Sequence, residues 1–186
     1  MERIRGWLTD GERRLLFWAN RRPLNAGVNR WLGIWLSTIT HAGGATFTLT
    51  SATLIALLAD PPWNTAGWQS LAAVALSHLP VFVVKRKYKR LRPYQALKQI
   101  VTGKKTLADP SFPSGHTTAV FAWIVPLLMA DAALMPVLLP GALALGLSVA
   151  WSRMYLGLHY PSDVAAGAAL GSLAGFAASY IGWLPA

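Results

Sequence analysis

The stretch PSFPSGHTTAVFAWIVPLLMAD, residues 110–131, joins a polar turn directly to an apolar run. Two prolines, two serines and a glycine lie close before His116, and no charged residue follows until Asp131 at the boundary. The run Thr117–Asp131 approaches the roughly 17–25 residues that a helix needs to cross the hydrocarbon core of a bilayer. A histidine and a polar turn therefore lie at the entrance to a predicted membrane span.

Four further apolar runs of similar length predict a membrane protein. None of them contains Lys or Arg, and they cover Gly43–Ala59, Trp68–Val84, Met135–Trp151 and Val164–Leu184. Only 13% of the 186 residues are charged, about half the share typical of a soluble domain. A soluble all-α protein with five buried helices would need more polar surface than this chain has. The sequence therefore predicts an all-α fold, a polytopic transmembrane helical bundle of five spans.

The first 41 residues are predicted to form an N-terminal interfacial region, and residues 42–186 the transmembrane domain. Near the N-terminus, apolar residues recur at helical spacing among charges, which predicts an amphipathic helix in the headgroup layer: Ile4, Trp7, Leu8, Leu15 and Trp18. The charges among them argue against a cleavable signal peptide. The segment Asn25–His41 is apolar but short and contains Arg30. We expect it to be interfacial or re-entrant, with a sixth span as the alternative.

The positive charges indicate how the spans are oriented. If the five runs cross the bilayer, all seventeen Lys and Arg residues fall on one side. The positive-inside rule places that side in the cytoplasm, and the competing explanation is that some of these cations hold an anionic substrate or headgroups. Three polar clusters, Lys85–Pro93, Pro113–His116 and Arg153–Asp163, reach this same face. Such agreement is expected of the parts of one site.

The first cluster, KRKYKRLRP, follows the second run and contains two cations suited to binding phosphate. Lys85 and Arg92 are seven residues apart, so we predict that they share one helix face before Pro93 ends the helix. An ammonium and a forked guanidinium together suit the several oxygens of a phosphate. The remaining cations are interpreted as a basic collar beside the membrane, which is also the alternative explanation for the whole cluster: Arg86, Lys87, Lys89 and Arg90.

The second cluster is typical of the start of a helix. Ser114 can cap the helix, and Gly115 allows another group to approach the backbone closely. The unpaired N–H groups of the first turn attract an anion, which the ring of His116 would reach. The alternative is an ordinary helix cap with an interfacial histidine.

The third cluster is also typical of a helix start, with Pro161 at the first position and Asp163 in the first turn. Asp163 can accept a hydrogen bond from one ring nitrogen of His159. This contact would fix the tautomer and leave the other nitrogen free as a nucleophile. Arg153, at the end of the fourth run, can reach the same pocket. The alternative is a structural His–Asp pair at a helix cap.

Together the clusters favour phosphoryl transfer without a metal or another cofactor. Zn²⁺ requires three or four ligands and Mg²⁺ requires carboxylates, whereas Asp163 is the only carboxylate in the three clusters and the chain has no cysteine. One histidine would attack phosphorus, the other would protonate the leaving oxygen, and the cations would stabilise the phosphoryl oxygens. His41 and His78 lie outside the clusters, and we expect His78 to form a hydrogen bond between helices.

The three clusters resemble the signature of the type 2 phosphatidic acid phosphatases, which has three parts: Lys85-x6-Arg92-Pro93, Pro113-Ser114-Gly115-His116 and Ser152-Arg153-x5-His159-x3-Asp163. This superfamily also contains bacterial phosphatidylglycerophosphate and undecaprenyl-diphosphate phosphatases, glucose-6-phosphatase and the vanadium haloperoxidases. The resemblance implies an α-helical bundle with its site at a membrane face. Many bacterial members work on the outer face of the inner membrane, which opposes the orientation indicated by the charges.

The resemblance also implies a role for each predicted site residue. His159 would form a phosphohistidine intermediate, Asp163 would orient it, and His116 would be the general acid. The phosphate oxygens would be bound, without a metal, by the remaining residues: Lys85, Arg92, Ser114, the N–H of Gly115 and Arg153.

The expected function is hydrolysis of a lipid phosphate or diphosphate in the bacterial inner membrane. Candidate substrates are undecaprenyl diphosphate, phosphatidylglycerophosphate and phosphatidic acid. The expected partners are the lipid substrate and the bilayer, and no nucleic acid; the oligomeric state stays open. The alternatives are a lipid-linked phosphotransferase with an alcohol acceptor and a catalytically silent lipid-binding membrane protein.

Overall fold

The computed structural model describes residues 10–21, 25–102 and 106–180, and these residues form helices and loops without a β-strand. The helices are α1 (Asp10–Asn20), α2 (Ala26–Ile39), α3 (Ala45–Leu58), α4 (Trp63–Tyr88), α5 (Pro93–Ala96), α6 (Gly115–Met129), α7 (Met135–Tyr155) and α8 (Pro161–Tyr180). A short 3-10 turn, Thr40–Gly43, separates α2 from α3. The predicted all-α class is confirmed.

The described helices differ in their ability to cross a bilayer. Two segments, Trp63–Ala96 and Met135–Tyr155, are long and apolar enough to do so. The pair α2 and α3 becomes a third candidate if the two helices, bent by 56° at the 3-10 turn, form one broken span. The predicted count of five spans is therefore not confirmed: α6, for example, is apolar but only 15 residues long. The pair α2 and α3 fits either a broken span or a re-entrant segment.

Close contact between α6 and α8 brings the second and third predicted clusters together. A Cβ atom on Gly167 of α8 would lie 2.7 Å from the carbonyl oxygen of Ser114, and one on Gly171 would overlap the carbonyl oxygen of Thr118. Glycine at these positions lets the two backbones approach. At the N-termini of the two helices, the amide of Ser114 donates a hydrogen bond of 3.0 Å to the carbonyl oxygen of Asp163.

The helix α1 docks against the protein through one face. Its Leu16 and Ala19 are buried in an apolar cluster with Met154 of α7 and Val164 of α8. The apolar residues Leu15 and Trp18, which the sequence assigned to a lipid-facing surface, are 42% and 59% exposed. The other residues of the predicted amphipathic pattern, Ile4, Trp7 and Leu8, lie outside the described residues.

Candidate active site

Arg92 lies at the centre of the site, immediately before the short helix α5. Only 1% of this residue is exposed. Its guanidinium donates hydrogen bonds of 2.9 Å to the carbonyl oxygens of Asp109 and Leu158 and to the carboxylate of Asp109. A fourth contact, of 3.1 Å, joins Nη1 to Nε2 of His159. Four partners fix the planar guanidinium in one orientation.

The prediction that Lys85 and Arg92 share one helix face is wrong. The helix α4 ends at Tyr88, and Lys89 takes the left-handed conformation with φ of 45°, which turns the chain away from the helix axis. The two cations are brought together instead by Asp109, whose carboxylate binds both side chains. Lys85 also donates a hydrogen bond of 3.0 Å to the carbonyl oxygen of Pro110.

Asp109 is a site residue that the sequence reasoning missed. Burial alone would raise the pKa of its carboxyl group, but the hydrogen bond and charge of Lys85, together with the charge of Arg92, outweigh burial and hold the pKa below its usual value. The carboxylate is therefore ionised at neutral pH and keeps the two cations at a fixed separation. The only sequence feature that could have pointed to Asp109 is its position directly before the turn Pro110–Pro113, which leads into the second predicted cluster.

His159 is buried between a carboxylate and the Arg92 guanidinium, with 2% of the residue exposed. Its Nδ1 is 3.5 Å from Oδ2 of Asp163, and no described residue completes a hydrogen bond to this nitrogen. A guanidinium only donates hydrogen bonds, so Nε2, which contacts Arg92, must carry the lone pair. The neutral ring then has its proton on Nδ1 and leaves Nε2 unprotonated.

The protonation of His159 follows from its surroundings. Burial lowers its pKa to about 4; the contact with Asp163 opposes this change, whereas the charges of Arg153 and Arg92 add to it. The ring is therefore neutral at physiological pH. The preceding turn, in which Gly157 has φ of 69°, places the amide of His159 3.2 Å from the carbonyl oxygen of Arg153.

Asp163 is fully buried and holds more partners than the sequence suggested. Its Oδ2 accepts a hydrogen bond of 2.8 Å from the amide of Tyr160, as a residue in the first turn of α8 can. Its Oδ1 accepts one of 2.7 Å from Nη1 of Arg90. The interpretation of Arg90 as a collar residue is therefore wrong, because its side chain is only 16% exposed and points into the protein.

The start of α6 has the geometry that the sequence predicted. Ser114 is the N-cap, and its Oγ accepts hydrogen bonds from the amide of Thr117 at 3.4 Å and from the hydroxyl of Thr117 at 3.0 Å. A Cβ atom built on Gly115 would have no neighbouring atom within 4 Å, so the backbone here borders open space. The positive charge of Arg153 acts on His116, and the rings of His116 and His159 are close enough to interact electrostatically.

Arg153 is a further cation at the candidate site, beside Lys85, Arg90 and Arg92, and only 3% of the residue is exposed. Its Nη1 donates a hydrogen bond of 2.9 Å to Oγ1 of Thr40, in the 3-10 turn. Its Nε has no hydrogen-bond partner among the described residues. A buried guanidinium with an unused N–H group suits a site that takes up an anion.

The two histidines outside the clusters behave differently. His41 lies in the 3-10 turn and is close enough to His116 to act on it electrostatically. It therefore borders the candidate site, although the sequence did not place it among the predicted site residues. Nδ1 of His78 contacts the carbonyl oxygen of Val74 at 2.8 Å, within the same helix. The expected hydrogen bond from His78 to another helix is therefore wrong. Within the described ranges, no group of three or more His, Asp and Glu residues is placed to hold a metal ion.

Comparison with known sequences gives a family and several relatives. The family model described as PAP2 superfamily matches residues 66–184. A decaprenylphosphoryl-5-phosphoribose phosphatase of Mycobacterium tuberculosis strain H37Rv is 35% identical over 120 residues, which are 64% of this chain and 61% of that protein. An undecaprenyl-diphosphatase of Sulfolobus acidocaldarius is 32% identical over 104 residues, 56% of this chain and 47% of that protein. The chain thus matches less than two thirds of the length of these relatives.

Two solved structures share the fold. Aquifex aeolicus LpxE superposes with a TM-score of 0.74 and 20% identity, covering 89% of this chain and 92% of that one. A transmembrane PAP2-type phosphatidylglycerolphosphate phosphatase from Bacillus subtilis gives 0.72 and 24%, covering 94% and 88%. Both similarities support the helical arrangement described above, and the second of them is to a membrane protein.

Proposed function

Because the chain belongs to the PAP2 superfamily, we propose that it is an integral-membrane phosphatase that hydrolyses a lipid phosphate or diphosphate. Membership confirms the resemblance found in the sequence. The observation that carries the proposal is the position of His159, with Nδ1 3.5 Å from the Asp163 carboxylate and Nε2 3.1 Å from the Arg92 guanidinium. This arrangement leaves a buried, neutral imidazole with its lone pair directed to a group that attracts phosphate.

The proposed first step is attack of Nε2 of His159 on phosphorus. The P–N bond forms as the bond from phosphorus to the leaving oxygen breaks, and His116 gives that oxygen a proton. As Nε2 becomes positively charged, the Asp163 carboxylate stabilises the proton on Nδ1. In the second step, water activated by His116 attacks phosphorus, the P–N bond breaks, and phosphate leaves with His159 neutral again.

The phosphoryl oxygens would be bound by groups that reach one place from four parts of the chain. Lys85 comes from the last turn of α4, Arg92 from the N-cap of α5, Arg153 from the end of α7, and Ser114 with the N–H of Gly115 from the start of α6. Donors fixed before the reaction stabilise the charge that develops on the phosphoryl group without further reorganisation. The described residues offer cations and N–H groups here and not a set of metal ligands, which supports a reaction without a metal cofactor.

The substrate is proposed to be a polyprenyl-linked phosphate, because the relatives named above act on decaprenylphosphoryl-5-phosphoribose and undecaprenyl diphosphate. Phosphatidylglycerophosphate and phosphatidic acid are the other candidates. The chain is proposed to lie in the inner membrane, with residues 1–41 as the interfacial region, residues 42–186 as the transmembrane phosphatase domain and the site at the cation-rich face.

Phosphate release from purified full-length protein tests the proposal. The protein in detergent with excess EDTA is offered undecaprenyl diphosphate, phosphatidylglycerophosphate and phosphatidic acid in turn. We expect release from at least one lipid, loss of release in His159→Asn, and normal release in His78→Gln, which changes a histidine away from the site. No release from any of the three lipids, or full activity of His159→Asn, would remove the proposal. Transfer of the phosphoryl group to an added alcohol would favour the phosphotransferase alternative.

A further inference from the structure

A carboxylate from the N-terminal helix reaches the start of α8, next to the site. Oε1 of Glu12 accepts hydrogen bonds from the Ser162 amide, at 3.0 Å, and from the Ser162 hydroxyl. Both carboxylate oxygens of Glu12 are 3.3 Å from Nη2 of Arg90. The Glu12 side chain is only 9% exposed. The helix α1 lies outside residues 66–184, which the family model matches, and yet it caps the helix that carries Asp163.

Arg90 connects this carboxylate to Asp163. Its Nη1 donates to Oδ1 of Asp163 and to the Ser162 hydroxyl, both at 2.7 Å, while Nη2 faces Glu12. The guanidinium also lies 4.0 Å above the ring of Tyr160, whose amide binds the other oxygen of Asp163. One face of the carboxylate is therefore held by Arg90 and another by the backbone, and the third contact is with His159.

The docking of α1 is firm enough to hold Glu12 in place. Leu16 is fully buried. The side chain of Asn20 binds three backbone groups at 2.8 Å: it donates to the carbonyl oxygens of Val101 and Tyr155 and accepts from the amide of Val101. These contacts tie α1 to the end of α7 and to the loop after α5. Glu12 is thus presented from a helix that is fixed at its far end.

We propose that Arg90 and Glu12 are positioning residues, which hold the Asp163 carboxylate in the orientation that lets it orient His159. The inference rests on the function proposed above. The positive charge of Arg90 offsets part of the effect of the Asp163 carboxylate on the imidazole. The negative charge of Glu12 in turn offsets part of the charge of Arg90. The N-terminal helix therefore completes the active site through its charge, although neither residue contacts the reacting atoms.

Opposite effects of the two residues on the protonation of His159 follow from this chain of charges. Without the positive charge of Arg90, the carboxylate stabilises the protonated imidazole more, so the titration midpoint of His159 rises. Without the negative charge of Glu12, Arg90 offsets more of the charge of Asp163, so the titration midpoint of His159 falls. The other charged groups that face the ring come from separate elements and stay unchanged: Arg92 beside α5, Arg153 on α7 and His116 on α6.

Titration of the histidine rings tests the proposal independently of activity. Full-length protein in detergent, labelled with ¹⁵N in the rings of its four histidines, is followed by NMR between about pH 3 and pH 8 and assigned with His159→Asn. We expect Arg90→Gln to raise the midpoint of His159 by about one pH unit, Glu12→Gln to lower it, and Arg90→Lys to return it toward the wild-type value. The matched controls are Arg86→Gln, on the same basic segment but over the ring of Phe82, and Asp10→Asn, at the exposed start of α1.

The outcomes separate this inference from the proposed function. A midpoint in Arg90→Gln equal to that in Arg86→Gln, or a shift in the same direction for Arg90→Gln and Glu12→Gln, would overturn the positioning role. If Arg90→Gln does not fold, the positioning role is tested by comparing the His159 midpoint in Glu12→Gln with that in Asp10→Asn, and equal midpoints would overturn it. On the best lipid substrate we expect Arg90→Gln to lower kcat about tenfold and to leave KM nearly unchanged. If wild-type protein releases no phosphate while the midpoints shift as expected, the phosphatase proposal fails and the electrostatic coupling stands.

Discussion

Replacement of Arg92 by lysine keeps the positive charge but removes the planar guanidinium. The variant therefore separates the contribution of the charge from that of the hydrogen-bond geometry. Arg92 makes four contacts, to two carbonyl oxygens, one carboxylate oxygen and Nε2 of His159. A single ammonium group cannot reach partners on Asp109, Leu158 and His159 together, because its three N–H bonds diverge from one atom. The residue is almost completely buried, so water cannot replace the lost donors.

The size of the effect follows from the number of partners lost. If two hydrogen bonds from a charged donor disappear at about 1.5 kcal/mol each, Arg92→Lys loses about 3 kcal/mol of stability, or on the order of 6–12 °C in Tm for a chain of this size. The loss of one fixed donor to the phosphoryl oxygens is expected to lower kcat about 100-fold or more. Both figures apply to a variant whose net charge is unchanged.

Two measurements on purified protein check this prediction. Thermal unfolding in detergent gives the change in Tm, and phosphate release below the Tm of the variant gives kcat. Arg86→Lys is the matched control, since Arg86 stacks on Phe82 at 4.3 Å, away from His159, and should be near wild type in both assays. If Arg92→Lys kept its Tm and lost less than threefold in kcat, the guanidinium geometry would not be what the site requires.

Three further predictions concern the helix start, pH and orientation. Gly115→Ala should keep the wild-type Tm, because its Cβ meets no atom within 4 Å, and should lower kcat by crowding the predicted phosphate position; Gly171→Ala, whose Cβ overlaps the backbone of α6, should instead lower Tm. Since the pKa of His159 is lowered to about 4, the acid limb of kcat/KM should lie at about pH 4, and an acid limb near pH 6.5 would refute this; kcat/KM should also fall at high pH, where His116 loses the proton that it needs as the general acid. Stability should fall as pH drops from 6.5 to 4, because the unfolded chain then binds a proton that the folded chain does not. The positive-inside rule predicts that Lys98→Cys, exposed beside α5, stays unlabelled by a membrane-impermeant thiol reagent in intact cells, and labelling from outside would reverse the orientation.

The sequence was informative where the signal is local. The cap at Ser114 and the start of α8 at Pro161 depend on neighbouring residues, and both are present as predicted. The pair His159 and Asp163 is separated by one helical turn, so its proximity could be expected. These elements define where the site lies.

The sequence was uninformative where contacts join distant parts of the chain. Arg90 and Asp163 are 73 residues apart, and Arg90 and Glu12 are 78 apart, so nothing near Arg90 distinguishes it from the neighbouring cations. The end of α4 was missed for another reason: the left-handed residue is Lys89, a type that rarely takes this conformation and so gives no signal. The count of five spans is not confirmed, because apolar runs of similar length become described helices of different length and bending.

Trapping of a covalent intermediate tests whether His159 is the nucleophile. Full-length protein is mixed with a lipid substrate labelled with ³²P in the hydrolysed phosphate, quenched within the first turnover in alkali and digested, and the labelled peptide is sequenced. We expect an acid-labile, alkali-stable phosphate on His159, which is absent from His159→Asn and longer-lived when His116→Asn slows its hydrolysis. Phosphate release at the wild-type rate with no label on His159, or with the label on another residue, would contradict it.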